Sequence, residues 1–166
     1  RPWAVPGTPG LEHRIGGLEK EDKTGNISYS PQNHQLMVDT RAEKIERIAQ
    51  YLPPAEVEGD PQGDVLIVSW GGTYGFIKTA VENARKRGES VSHLHLRYLN
   101  PLQSNVGEIL YNFKHVVVAE LNKGQLIQIL RSKYLVPAIG LNKVQGLPFK
   151  AEEVEAKISE LLSLNR

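Results

Sequence analysis

A glycine-rich turn is the first place in this sequence where binding chemistry is expected. It follows the apolar run Val65–Ser69 and reads Trp70-Gly-Gly-Thr-Tyr-Gly75. Glycines allow tight backbone geometry, and a helix that begins there would offer unpaired N–H groups to a phosphate. The spacing matches neither the dinucleotide fingerprint nor a P-loop, which leaves a tight turn capped by the threonine as the alternative. The candidates for contact with a ligand or another domain are Gly71, Gly72, Thr73 and Gly75.

A second polar turn, Glu120-Leu-Asn-Lys-Gly-Gln125, follows the apolar strand pattern His115–Glu120. Its acid would serve as a base or a salt-bridge partner, and the alternative is an ordinary turn with a solvated carboxylate. The carboxyl ends of parallel strands form the edge at which ligands and partners bind. Neighbouring strands would therefore bring this turn beside the first one. The candidates here are Glu120, Asn122 and Gln125.

His93 and His95 alternate along a third apolar stretch, so both side chains would lie on one face of a strand. Two such histidines form part of a metal site, but a metal needs a third ligand, and no nearby Asp, Glu or Cys is obviously placed. Histidines that are packed or hydrogen-bonded at a sheet face are the favoured interpretation. We assign no metal site.

Weaker candidates lie near the start of the chain, where Glu12 and His13 fall within a long irregular segment rich in glycine and polar residues. The two side chains would pair with each other, and loops of this kind often carry function. A polar linker is the alternative.

The elements that must position these residues alternate between strands and helices after residue 64. A long amphipathic helix is predicted first, over Pro31–Leu52, with an apolar stripe that includes Ile45 and Ile48. Polar, turn-forming residues follow at Glu56–Gly63. The strands and helices predicted after them are Val65–Ser69, Thr73–Arg87, Val91–Leu96, Ser104–Phe113, His115–Glu120, Gln125–Lys133, Val136–Leu141 and Ala151–Leu164. Such alternation predicts an α/β fold with a mainly parallel sheet, helices on both faces and right-handed crossovers.

Composition excludes several classes of protein. The 166 residues carry a net charge of +1, and 40% of them are apolar, as in one ordinary globular domain. Balanced charge gives no attraction to nucleic acid or anionic membranes, and no apolar run is long enough to span a bilayer. The absence of cysteine excludes disulfides, thiolate catalysis and iron–sulfur ligation by this polypeptide and favours a cytoplasmic setting.

The chain begins without Met in a Pro/Gly-rich stretch, Arg1–Gly10, which is typical of a linker. We therefore expect a fragment of a longer protein, with residues 1–30 as an irregular interdomain or wrapping segment and residues 31–166 as the α/β domain. No nucleophile, base and acid stand at spacings that would form a catalytic set. The domain by itself is not expected to be an enzyme.

A series of motifs resembles the α subunit of 2-oxoacid:ferredoxin oxidoreductases, most closely the 2-oxoglutarate synthase type. The series follows the family's order over essentially the whole chain, and each motif alone is weak. The motifs are Leu11-Glu-His, Lys23-Thr-Gly-Asn-Ile-Ser, Asn33-His-Gln-Leu-Met-Val, Trp70-Gly-Gly-Thr-Tyr-Gly, Leu96-Arg-Tyr-Leu-Asn-Pro-Leu, Glu120-Leu-Asn-Lys-Gly-Gln-Leu and Leu141-Asn-Lys-Val-Gln-Gly-Leu-Pro-Phe.

The resemblance implies a domain similar to the C-terminal domain of transketolase, with three layers and a five-stranded, mostly parallel sheet that has one antiparallel edge strand. The whole enzyme would oxidatively decarboxylate a 2-oxoacid to an acyl-CoA with thiamine diphosphate, Mg²⁺ and iron–sulfur clusters, and would reduce ferredoxin. This domain would bind none of these cofactors alone. It would serve assembly, packing against the N-terminal part of the α subunit and the β subunit.

Two other functions remain open from the sequence. One is a free-standing α/β protein that binds a nucleotide or phosphate at the Gly71–Gly75 turn. The other is a purely structural interaction module. The sequence does not specify the 2-oxoacid or the oligomeric state.

Overall fold

The computed structural model describes residues 3–164, which group into two compact units, one ending at Tyr51 and the other beginning at Leu52. This division falls later than the boundary predicted after residue 30, so the first long helix groups with the irregular segment. Among the described residues, the helices are all too short or too polar to cross a membrane.

The first unit consists of an irregular segment and helix α1, which spans Pro31–Glu46. An isolated antiparallel bridge pairs Lys20 with Ile27 in the irregular part. The Ser30 hydroxyl caps α1 by accepting a hydrogen bond from the N–H of Asn33 at 3.3 Å. The helix therefore begins as the Ser-Pro signal predicts.

The far end of α1 differs from the prediction. The α-helix ends at Glu46, and Arg47–Tyr51 form a tighter 3₁₀ turn, as is common where a helix ends. No residue of α1 is buried. The apolar stripe predicted on this helix therefore has no core beneath it within this unit, and Ile45 and Ile48 are exposed.

The second unit is built on a five-stranded sheet with the strand order β1-β3-β2-β4-β5. The strands are β1 (Val57–Glu58), β2 (Gly63–Trp70), β3 (Val91–Leu96), β4 (Phe113–Glu120) and β5 (Ile139–Asn142). Strand β1 pairs antiparallel with β3, and the other three pairings are parallel. The predicted α/β fold, with one antiparallel edge strand, is confirmed.

Four helices cover the two faces of this sheet, in alternation with the parallel strands. They are α2 (Tyr74–Lys86), α3 (Val106–Tyr111), α4 (Gln125–Tyr134) and α5 (Ala151–Ser163). Each lies within a range predicted to be helical or extends it by one residue. Short polar turns at the strand ends connect them, as the strand–helix alternation requires.

Strand β1 lies within Glu56–Gly63, for which the sequence predicts a polar linker and no strand. The strand has only two residues, Val57 and Glu58, which pair with Leu94 and His93 of β3. Two residues show no periodicity, so this strand forms because β3 offers an unpaired edge and not because of its own sequence.

The core lies in two layers, because successive side chains of each strand point to opposite faces. Leu66 and Val68 face α3 and α4, whereas Val65 and Ile67 face α2 and α5. All four are completely buried. Strands buried on both faces explain the uninterrupted apolar runs that identified β2 and β4 in the sequence.

The close approach of α3 to α4 allows this packing to be tested by substitution. A Cβ added to Gly107 would lie 2.8 Å from ring atoms of Tyr134, whereas one added to Gly75 would meet nothing within 4 Å. We expect Gly107→Ala to lower the free energy of unfolding by about 1–3 kcal/mol through overpacking. We expect Gly75→Ala to be neutral or slightly stabilising, because it lies within α2. Equal effects in urea denaturation would contradict this packing.

Candidate functional site

The two turns singled out in the sequence meet at the carboxyl edge of the sheet. Strands β2 and β4 are direct neighbours, with Val68 paired to Val118. Trp70 at the end of β2 and Glu120 at the end of β4 are therefore brought side by side. We name this edge, with the turns that follow β2, β3, β4 and β5, the carboxyl edge.

The glycine turn is a 3₁₀ turn, Gly71–Thr73, that leads into α2. Gly71 has φ 59°, a conformation that favours glycine. The Thr73 hydroxyl accepts from the Trp70 N–H at 3.1 Å and donates to the Trp70 carbonyl at 2.7 Å. The threonine thus ties the turn to β2, whereas the alternative drawn from sequence had it capping α2, and no side-chain cap is present there.

Two glycines of the Trp70–Gly75 motif, one in the turn and one in the first turn of α2, are not required by the fold of the unit. Gly72 and Gly75 lack the left-handed conformation of Gly71, and a Cβ on either would meet nothing within 4 Å. Both are exposed. The absence of side chains here leaves the backbone open to close approach from outside the unit.

Glu120 is completely buried, and its carboxylate is fully engaged. Oε1 accepts hydrogen bonds from Trp70 Nε1 at 3.2 Å and from the Leu126 N–H at 2.9 Å, and Oε2 accepts from the Ile127 N–H at 3.2 Å. Asn122 Nδ2 donates to Oε1 as well, at 3.2 Å. The N–H groups belong to the first turn of α4, where the partial positive charge of a helix stabilises a carboxylate. Glu120 therefore caps α4 and faces indole and backbone donors instead of solvent.

Asn122 and Gln125 complete the turn in different ways. Asn122 Oδ1 accepts from the N–H of Gly124 at 2.7 Å and from that of Gln125 at 3.0 Å, so it adds a second cap to α4. Gly124 has φ 90°, and a Cβ there would lie 3.0 Å from Ile127. The Gln125 side chain is exposed and is the member of this predicted set that remains free to contact a partner.

Glu12 and His13 lie in the first unit, and each bonds to local backbone. Glu12 Oε1 accepts from the Gly10 N–H at 3.2 Å, and His13 Nδ1 lies 2.9 Å from the Leu11 carbonyl. Backbone hydrogen bonds from Glu12 itself and from Gly10 lower the pKa of the Glu12 carboxyl. Among the described residues the two side chains form no pair with each other.

The two histidines of β3 belong to a polar cluster that no local sequence pattern predicts. Ser69 Oγ of β2 lies 2.7 Å from His93 Nε2 and 2.8 Å from His95 Nδ1. His93 Nδ1 lies 3.6 Å from a carboxylate oxygen of Glu58 on β1. We name Glu58, Ser69, Tyr74, Lys78, His93 and His95 the histidine cluster.

Helix α2 closes the outer side of the histidine cluster. The Tyr74 hydroxyl donates to Glu58 Oε1 at 2.6 Å and accepts from Lys78 Nζ at 3.2 Å. The Tyr74 ring lies 5.7 Å from the ring of His93 and 5.0 Å from that of His95, centroid to centroid. A residue of the glycine turn motif therefore covers both imidazoles.

The order Glu58, His93, Ser69 has the connectivity of a hydrolytic triad, but the geometry excludes that chemistry in this unit. Ser69 and His93 are both 0% exposed, and the hydroxyl is shared with a second imidazole. A nucleophilic serine must reach a substrate carbonyl. No group of three or more His, Asp or Glu side chains within residues 3–164 is arranged to hold a metal either. The favoured interpretation of packed, hydrogen-bonded histidines matches this geometry.

Burial favours the neutral form of both imidazoles by lowering their pKa values. Desolvation lowers the pKa of His93 to about 4, against the opposing charge of Glu58. Desolvation also lowers the pKa of His95, with a further contribution from Arg97. Burial raises the pKa of the Glu58 carboxyl, but the Tyr74 hydroxyl and the charges around it outweigh that effect and lower it overall.

Sequence reasoning missed Glu58, Ser69, Tyr74, Lys78 and Trp70 as members of this edge. Ser69 lies opposite His95 in the β2–β3 pairing, and Glu58 lies opposite His93 in the β1–β3 pairing. Those strand registers pair residues that are far apart in the sequence, so no local pattern predicts them. The alternation of His93 and His95 was the available signal, and it predicted correctly that both lie on one face.

Substitution of the Glu120 cap should destabilise the second unit. In Glu120→Gln an amide NH₂ replaces one carboxylate oxygen and meets an N–H donor, and the charge at the helix terminus is lost. We expect the free energy of unfolding to fall by about 2 kcal/mol. The matched control is Glu152→Gln, an exposed acid in the first turn of α5, for which we expect a few tenths of that loss. A neutral Glu120→Gln variant in urea denaturation would contradict the assigned role.

The buried imidazole of His93 should make stability depend on pH. Its pKa falls from 6.5 to about 4 on folding, so the folded state binds fewer protons between these values. The contribution of His93 is therefore fully present above pH 6.5 and is lost as pH falls towards 4. Carboxyl groups such as Glu58 lose their contribution to stability only below their ordinary pKa of 4.5. The change in stability between pH 6.5 and pH 4.5 is therefore assigned to histidine.

We expect the free energy of unfolding to fall by about 2 kcal/mol more in the parent chain than in His93→Gln between pH 7 and pH 4.5. His13→Gln, at an exposed position, should behave like the parent chain. If the free energy of unfolding fell equally with pH in the parent chain and in His93→Gln, burial of this imidazole would not control the pH dependence of stability.

Comparison with known proteins places this architecture in a family. The family described as "Pyruvate:ferredoxin oxidoreductase core domain II" matches residues 63–156. The chain is 53% identical over 156 residues to the 2-oxoglutarate oxidoreductase subunit KorA of Mycobacterium tuberculosis, covering 93% of this chain and 23% of that protein. The chain therefore spans about a quarter of the length of that relative.

Solved structures show the same likeness. A 2-oxoglutarate:ferredoxin oxidoreductase from Magnetococcus marinus, with 2-oxoglutarate, coenzyme A and succinyl-CoA bound, matches with a TM-score of 0.87 and 32% identity, over 97% of this chain and 28% of that one. A split-gene transketolase, described as an inactive beta4 tetramer, matches with a TM-score of 0.51 and 22% identity, over 69% of this chain and 44% of that one, and shows the fold alone.

The family match covers more than half of the chain, and it confirms the resemblance carried by the motif series. This chain belongs to the pyruvate:ferredoxin oxidoreductase core domain II family.

Proposed function

We propose that this chain is the C-terminal domain of the α subunit of a 2-oxoacid:ferredoxin oxidoreductase that acts on 2-oxoglutarate. The observation that carries the proposal is the match to the Magnetococcus marinus enzyme, a TM-score of 0.87 over 97% of this chain. The identity of 53% to the mycobacterial 2-oxoglutarate oxidoreductase subunit supports the choice of substrate. The parent enzyme would convert 2-oxoglutarate and CoA to the acyl-CoA and reduce ferredoxin in the cytoplasm.

The domain would serve assembly, and the carboxyl edge would be its contact surface. Partly or strongly exposed apolar side chains follow four of the strands at this edge. They are Tyr74 at 37%, Tyr98 at 40%, Leu121 at 40%, Val144 at 62% and Leu147 at 63% exposure. Together with the open glycines Gly72 and Gly75, they form a surface suited to another part of the same subunit. The relatives extend far beyond the length of this chain, and the proposal assigns the contacting part to that additional length.

The proposal places thiamine diphosphate, Mg²⁺, the iron–sulfur cluster and CoA in other parts of the enzyme. The ionisable groups of the carboxyl edge support this, because Glu120 is buried as a helix cap and His93 is buried against Ser69. The chain's own residues would then hold the edge rigid and dry, with the N-terminal part of the α subunit and the β subunit packed around it.

Gly72→Trp in the full-length α subunit, produced with its β subunit, tests the contact surface. Since a side chain at Gly72 meets nothing within the unit, we expect unchanged unfolding of this chain alone. Loss of subunit assembly, and of 2-oxoglutarate- and CoA-dependent ferredoxin reduction, should follow from the steric block. Ser132→Trp, an exposed position near the far end of α4, is the control that should assemble normally.

A normal Gly72→Trp enzyme would show that the turn does not face a partner. Activity with pyruvate in place of 2-oxoglutarate would correct the substrate. Calorimetry on the 166-residue chain with thiamine diphosphate, CoA and nucleotides addresses the free-standing alternative. Micromolar binding that Gly72→Trp abolishes would favour a phosphate site at the turn over an assembly role.

A further inference from the structure

We propose that Glu58, His93 and Ser69 form a relay that fixes the proton of neutral His95 on Nδ1 and turns its Nε2 lone pair outward as a hydrogen-bond acceptor. The group that this acceptor would take is a donor, such as a hydroxyl, an amide N–H or an ammonium. The inference states that His95 accepts a hydrogen bond from its contact, which the assembly role does not specify. It holds whichever molecule supplies the donor.

The first step is the single proton of Ser69. Its oxygen lies within hydrogen-bond distance of two imidazole nitrogens, at 2.7 Å from His93 Nε2 and 2.8 Å from His95 Nδ1. A hydroxyl donates once and can accept as well. Because the hydroxyl has a single proton, at most one of the two imidazoles can accept from it, and when one accepts, the other must donate to the Ser69 oxygen. The proton positions on the two histidines are linked.

The second step is the charge of Glu58, which decides the direction. Glu58 Oε2 lies 3.6 Å from His93 Nδ1, too long for a hydrogen bond but close enough for a charge–dipole attraction. A protonated Nδ1 is attracted to the carboxylate and a lone pair there is repelled. Within residues 3–164 this buried nitrogen has no other partner, so its proton is held by Glu58 alone.

The third step follows from the first two. With its proton on Nδ1, His93 accepts from Ser69 through Nε2, so the Ser69 oxygen must accept from His95 Nδ1–H. His95 is then a neutral imidazole whose Nε2 carries a lone pair. Within the described chain this nitrogen has no hydrogen-bond partner, and the His95 side chain is half-buried at the carboxyl edge.

Burial and the charges around the histidine cluster together favour neutral imidazoles, and the Arg97 cation near His95 lowers the pKa of that imidazole further. Lys78 is occupied by the Tyr74 hydroxyl at 3.2 Å and lies 3.8 Å from Glu58 and 3.9 Å from Glu82. Burial lowers the pKa of both histidines, which keeps them neutral near pH 7. An outward lone pair repels phosphate or carboxylate and attracts a donor, so His95 is an unsuitable contact for an anion.

The experiment reads the proton positions directly. Two-bond ¹H–¹⁵N correlations of imidazole nitrogens at pH 7, on the ¹⁵N-labelled 166-residue chain, distinguish the two tautomers, with His95→Gln identifying the signals. Neutral imidazole in water prefers the Nε2–H form, so a predominantly Nδ1–H form at His95 is a distinct expectation. A predominantly Nε2–H form at His95 in the parent chain overturns the proposal.

Glu58→Gln supplies the decisive variant, because it should reverse the relay. The amide oxygen can keep the bond from Tyr74 while the NH₂, with its partial positive charge, faces His93 Nδ1 and favours a lone pair there. His93 then donates to Ser69 through Nε2, which leaves the Ser69 hydroxyl free to donate to His95 Nδ1. We expect His95 to change from predominantly Nδ1–H to predominantly Nε2–H. Glu82→Gln, which removes a carboxylate near Lys78 without touching a histidine, should leave the parent form unchanged.

Ser69→Ala provides an independent check, because it disconnects His95 from the relay and should release it to the preference of free imidazole. Glu58 is partly exposed on an edge strand, so Glu58→Gln keeps the proposal testable even if Ser69→Ala fails to fold. An unchanged Nδ1–H form at His95 in Glu58→Gln would show that Glu58 does not set its polarity, and the proposal would fail.

Discussion

The buried carboxylate of Glu120 is the interaction on which the carboxyl edge depends. It joins three elements at one point: the end of β4, the Trp70 indole at the end of β2 and the first turn of α4. An uncompensated carboxylate at 0% exposure would be strongly destabilising, so these donors must all be in place when the unit is folded. The positions of the two turns are therefore linked through one side chain.

This linkage leaves the Glu120 carboxylate enclosed within the unit. A catalytic acid or base must exchange a proton with a substrate, and that requires access. Glu120 and His93 are instead enclosed, and the groups left at the surface are open backbone at Gly72, the Gln125 amide and apolar side chains such as Leu121. The surface of this edge therefore combines open backbone with exposed apolar side chains.

The sequence was sufficient for most of the fold. Apolar runs identified β2 and β4 because both strands are buried on both faces, and helical periodicity placed α2 and α5 within a few residues. It was insufficient for β1, whose two residues form a strand only because β3 leaves an edge unpaired. The sequence also did not show that the apolar stripe on α1 is exposed. Periodicity identifies the apolar face of a helix but not the element that packs against it.

The proton arrangement of the histidine cluster depends on the pairing of the edge strand β1. Glu58 is carried by the shortest strand of the sheet, and a two-residue edge pairing is among the first parts of a sheet to open. Opening there would admit water to His93 Nδ1 while β2, β3 and β4 stay paired. The proton arrangement inside the domain would then be governed by the lifetime of one frayed edge, separately from the stability of the whole.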